Sequence, residues 1–113
     1  METLQIYQVM DCNKVLFKMY EQKNVLPFSL GFKLFKIMKV FDEVEEYVFN
    51  TMDMTFPNYD WSNLTKEESE FYRKLLTEKI ELDFEKIPKE NFENNDKLML
   101  SLEDIGNLSI ILF

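Results

Sequence analysis

The stretch LPFSLGFKLFKIMKVFDEVEEYVFN, residues 26–50, constrains this chain more than any other. Leu34, Ile37, Phe41, Val44 and Val48 recur at alternating steps of three and four, and Phe35, Met38 and Met52 widen the stripe. That spacing puts them on one face of an α-helix. Lys33, Lys36 and Lys39 fall between them, followed by Asp42, Glu43, Glu45 and Glu46. A membrane span needs roughly 20 nearly uncharged residues, so this run predicts an amphipathic helix instead. Leu26-Pro27 sets its start, because proline is tolerated in a first helical turn, where its missing N–H would have no partner anyway. Gly31 is a place where it could start later.

Length and charge order make this helix unusual. From Pro27 to about Met52 it would extend about 39 Å at 1.5 Å per residue. A compact domain of this size is roughly 34 Å across. One end must therefore protrude, bend, or lie against another subunit, and the stripe is either packed within the chain or a seam between copies. Lysines occupy the first half and acids the second, against the preference of the helix dipole. Pairs four apart, such as Lys39 with Glu43, offset this weakly. Packing or a partner, rather than intrinsic helicity, is expected to hold the element.

The flanking segments complete a mainly α fold with a minor β component. The expectation is one long amphipathic helix packed with two or three shorter ones, plus one or two short strands or extended arms. Its 113 residues make a single domain, 1–113, and 46% hydrophobic residues supply one core. Leu4 and Ile6 alternate with polar neighbours and suggest a short strand, followed by a helix from about Gln8 to Gln22. Residues 52–63, MDMTFPNYDWSN, form a loop whose Phe56, Tyr59 and Trp61 either fold back as a plug or form a contact patch. Thr65 and Glu68 form a capping box opening a helix with Phe71, Tyr72, Leu75 and Leu76 on its apolar face.

In KIELDFEKIP the period changes to two, with Ile80, Leu82 and Phe84 on one side and Glu81, Asp83 and Glu85 on the other. A polar connector, residues 89–96, leads to Leu98–Leu100, which could add a short strand. Ser101 with Asp104 resembles a second capping box. Leu102, Ile105, Leu108, Ile111 and Leu112 suit a last helix, unless Gly106-Asn107 splits it. A tail as apolar as Leu108, Ile110, Ile111, Leu112 and Phe113 is expected to dock on its own core or on a neighbour.

Composition excludes much chemistry. No histidine is present, which removes Ser-His-Asp and Cys-His catalysis and imidazole metal sites. The single cysteine, Cys12, permits no internal disulfide and no thiolate zinc cluster. Net charge is −8, and Arg73 is the only arginine. Neither direct nucleic-acid binding nor attraction to an anionic membrane is expected. The N-terminal METLQIYQVMDC lacks a basic region and an apolar core, so no signal peptide is expected. No enzyme activity, cofactor or metal is expected; carboxylates alone can catalyse or hold magnesium, but no pair is marked by motif.

The motifs taken together, Leu26-Pro27 before the long helix, IELDFEKIP at 80–88 and LSLEDI at 100–105, resemble a family of small, functionally uncharacterised proteins of tailed bacteriophages. The loop at 52–63 is shorter and more aromatic here than in that pattern. The resemblance implies a viral origin, a place in the virion or the host cytoplasm, and a small accessory or assembly role. The leading expectation is a non-enzymatic minor virion component or head or tail assembly factor that contacts other phage proteins or itself. Its candidate interface is the stripe at Leu34, Ile37, Phe41, Val44 and Val48, the loop aromatics Phe56, Tyr59 and Trp61, and the tail Ile110, Ile111, Leu112 and Phe113. The alternative is a host-directed acidic inhibitor, a nucleic-acid mimic that binds a host protein through Glu81, Asp83 and Glu85.

Overall fold

A computed structural model describes residues 1–22, 26–93 and 98–113. Strand β1 (Glu2–Gln5) runs into α1 (Ile6–Glu21), and α2 (Phe28–Thr55) follows. Then come α3 (Lys66–Leu76), strand β2 (Lys79–Leu82), a single turn α4 (Glu90–Glu93) and α5 (Leu102–Leu108), which continues as a 3-10 turn at Ser109–Ile111. The architecture is mainly helical with a small two-stranded antiparallel sheet.

Helix α1 is the central element. Ile6, Val9, Met10, Cys12, Val15, Leu16 and Met19 are buried, too wide an arc for one contact, and α1 packs on α2, α3 and α5. It starts two residues earlier than its periodicity predicts, so Ile6 is helical and wholly buried rather than a strand residue. The Gln8 side chain explains this, accepting from the Gln5 N–H at 3.0 Å and ending the strand there. Strand β1 pairs with β2 so that Leu4 faces Ile80 and Glu2 faces Leu82. The Ile6 N–H carries the ladder one step further to the Glu78 carbonyl, at 3.0 Å.

Helix α2 runs without interruption through Gly31, whose N–H donates to the Pro27 carbonyl at 2.9 Å. Leu34, Ile37, Phe41, Val44 and Val48 are all 0–6% exposed. The stripe is therefore this chain's own core and not an exposed seam. Met52, wholly buried, continues it, which carries the helix on to Thr55 and takes three further residues from the predicted loop. The described fold takes up this length without the bend that was one of the three expected outcomes, beside a protruding end and a second subunit. The molecule lengthens around its spine instead, with extents of 46 × 29 × 21 Å matching a 28-residue helix of about 42 Å. The lysines and acids of α2 also lie inside its terminal turns, except Asp53. Because the dipole's effect is confined to those turns, the charge order costs α2 less than expected.

The tail closes the core. Ile111 and Ile87 are wholly buried. The Ile87 N–H donates to the Ile111 carbonyl at 2.8 Å and the Phe113 N–H to the Ile87 carbonyl at 3.2 Å. These bonds knit the last residues to the segment after β2. Leu98–Leu100 is not a strand. The Gln22 side chain takes the place of a ladder there, accepting from the Met99 N–H at 2.8 Å and donating to its carbonyl at 3.1 Å. Helix α5 keeps its Ser101–Asp104 capping box and is not split at Gly106. Its expected apolar face is only half right, since Leu102 and Ile105 are exposed while Leu108 is buried. Of the polar connector, residues 94–96 lie outside the described residues.

Candidate functional site

Folding takes up most of all three predicted contact regions. Besides the α2 stripe, Ile111 is buried, Ile110 and Leu112 are half-buried, and only Phe113 is exposed. The loop aromatics fold back as a plug. The Phe56 ring meets Phe71 edge-on at 5.3 Å. Trp61 stands edge-on to Tyr59 at 5.1 Å, to Tyr72 at 5.0 Å and to Phe49 at 5.9 Å. The Tyr59 hydroxyl donates to Asp53 at 2.7 Å, which raises its pKa by stabilising the protonated phenol. Trp61 keeps an exposed edge.

The surface that folding leaves unused lies elsewhere, where the C-terminal half of α1 meets the start of α2. Leu16, Met19, Leu26, Gly31, Leu34 and Met38 floor a cleft of about 390 Å³, and none of its lining residues is charged. Exposed aromatic rings wall it. Phe28 is 86% exposed, and Tyr20, Phe32 and Phe35 are also exposed. Phe28 stacks on Phe32 at 6.2 Å, and beside the cleft Phe17 stacks on Tyr20 at 6.5 Å. The Lys36 ammonium sits 4.8 Å from the Phe32 ring centre and that of Lys39 sits 5.1 Å from Phe35. Each cation is held against the negative face of a ring.

Burying one such ring is worth about 1.5–3 kcal/mol; Phe28 gains little of that by folding, while Tyr20, Phe32 and Phe35 stay about half exposed. Contiguous exposed apolar patches are the kind of surface that contact sites use. The expected stripe included Phe35, but Phe35 is exposed on the opposite side of α2 from Leu34 and Ile37, so the sequence reading missed this face. Phe28, Phe32 and Phe35 recur at four and three on the far side of the same helix, and that spacing was the available signal.

The predicted acidic face is exposed at Glu81, Asp83 and Glu85, and the strand alternation is as expected. It is not a field of one sign. Asp83 and Glu85 line a second groove, of about 480 Å³, with Lys33 and Lys36 on its other wall. Lys86 pairs with Glu2 at 3.2 Å nearby.

Cys12 is wholly buried, and desolvation pushes its thiol up to about 12, so it is protonated at neutral pH and cannot act as a nucleophile. Among the described residues, no group of three acidic, histidine or cysteine side chains is placed to hold a metal ion. None of the described helices is long and apolar enough to cross a membrane. In comparisons with known proteins, no family model, no curated protein and no solved structure matches the chain.

Proposed function

We propose that this is a non-enzymatic protein that works by protein–protein contact, as a minor virion component or head or tail assembly factor of a bacteriophage. The aromatic cleft between α1 and α2 is the surface that makes the contact. The observation that carries this reading is the row of exposed rings at Phe28, Phe32 and Phe35 around an uncharged cleft. Aromatic side chains of this kind anchor interfaces because they bring large apolar area at small entropic cost. The phage assignment rests on the sequence motifs at 26–27, 80–88 and 100–105.

The test is infection with a phage carrying Phe28→Ser and Phe32→Ser together, alongside protein mass spectrometry of purified particles and of assembly intermediates. Both side chains are exposed, so the melting temperature of the isolated variant should match that of the original chain. The expected result is the chain in particles or intermediates, and a fall in infectious yield for the variant. Unchanged yield from a folded variant would remove the cleft from any role, and absence from every assembly species would remove the virion reading.

A further inference from the structure

The outward face of α2 beyond the cleft carries a charge order that no ion pair among the described residues uses. Lys36, Lys39, Glu43 and Glu46 are all exposed. The lysines turn back over Phe32 and Phe35 rather than forward to the acids. Neither ion pair among the described residues, Lys18 with Asp104 and Lys86 with Glu2, touches α2. These four charges follow one another along a single open strip, the basic pair before the acidic pair. The strip begins at Phe32 and ends at Asn50, both exposed.

We infer that this strip is a self-complementary seam and that its occupant is the α2 of a second copy, laid antiparallel. A strip that is basic in its first half and acidic in its second matches its own reverse. With a twofold axis at the level of Phe41, Lys39 of one copy comes level with Glu43 of the other, and Lys36 with Glu46. The twofold repeats both pairings, because an isologous contact uses the same patch twice. A parallel pair would set lysine beside lysine and acid beside acid, so the charges choose the antiparallel orientation, as flanking charges do in helical coils. The Phe32 ring at either end of the seam supplies apolar area. The core stripe plays no part, since it faces the opposite way. This inference does not rest on the proposed function; the seam shares Phe32 with the cleft, and the charge reversals leave that ring in place, so the two are tested separately.

Exposed ion pairs are individually weak, and each copy carries a net charge of −8, so the pairing belongs to the weak, reversible class. Salt alone cannot judge it, because added salt screens both the general repulsion and the specific attraction. Charge reversal can. Sedimentation equilibrium from micromolar to millimolar protein would be run on the original chain, on K36E/K39E, on E43K/E46K, on the quadruple reversal, and on an equimolar mixture of the two double variants.

The expected result is a reversible dimer of the original chain that each double variant weakens about tenfold or more, the equivalent of 1.4 kcal/mol. The quadruple reversal should restore it, and the mixture should form a heterodimer tighter than either homodimer. Circular dichroism should be unchanged throughout, all four sites being exposed. A chain that stays monomeric at every concentration would overturn the inference. So would a dimer indifferent to the reversals, which would be using another surface. Either failure leaves the cleft and its infection test standing.

Discussion

Asn13 shows how much one residue can decide. It is the one buried polar residue among the described residues, 4% exposed on the inner side of α1, and its amide donates to Asp42 on α2 at 2.8 Å. Its own Oδ1 has no hydrogen-bond partner. The contact adds a directional link between α1 and α2 to their apolar packing. Asn13→Asp would place a buried carboxylate against Asp42, where both desolvation and like charge raise its pKa. The sign follows from linkage. A carboxyl raised on folding costs nothing while it is protonated in both states, and its cost grows as pH rises through its ordinary value of about 4. Urea unfolding should therefore show a loss of about 3 kcal/mol at neutral pH that narrows as pH falls towards 4. A loss that does not change with pH would mean that a carboxylate at position 13 is neither desolvated nor set against Asp42. Neither Asn13 nor its role was legible in the sequence, because the residue that answers it lies in another element.

At the scale of elements, the C-terminal tail was half legible. Its apolar composition demands a docking place, but composition does not say where. The fold answers with Ile87, which is buried against the last turn and hydrogen-bonded to it in both directions. Helix α5 is pinned from its other end, where Asp104 accepts from Lys18 at 2.6 Å and from the Ser101 N–H at 3.0 Å. The hydrogen bond from Lys18 holds that carboxyl below its usual range. Removing residues 108–113 should thus abolish cooperative thermal unfolding rather than only weaken a contact between molecules. The milder Ile111→Ala should cost about 2–5 kcal/mol, read from denaturant midpoints. A truncated chain that still melts sharply near the original temperature would show the tail to be dispensable. The misreading of Leu102 and Ile105 has a physical cause: a seven-residue helix has too few turns for periodicity to separate its inner face from its outer one.

Over the whole molecule, α2 sets the dimensions. A chain of this length packed as compactly as usual has a radius of gyration of about 13 Å. Here it is 15.7 Å, because the other elements are strung along a spine that none of them shortens. Small-angle scattering at low concentration should return a value near 15.7 Å rather than about 13 Å. A value at the compact end would mean α2 bends in solution. The elongation leaves a long outward face on α2 and an open aromatic end in solvent.

Local chemistry settled a large part of this without any fold. The spacing of Leu34, Ile37, Phe41, Val44 and Val48, the capping boxes at Thr65 and Ser101, and the alternation through Glu81, Asp83 and Glu85 act over a few residues, and each appears where its pattern put it. The missing histidine and the single cysteine are equally independent of folding. What tertiary structure alone decided is which of two apolar faces on α2 is core. Both Leu34–Val48 and Phe28–Phe35 satisfy helical periodicity. Only the partners that α1 and the segment after β2 bring to the first face, Phe84 against Phe41 among them, leave the second in water. Burial is a property of the assembled surfaces, and no single segment carries that information.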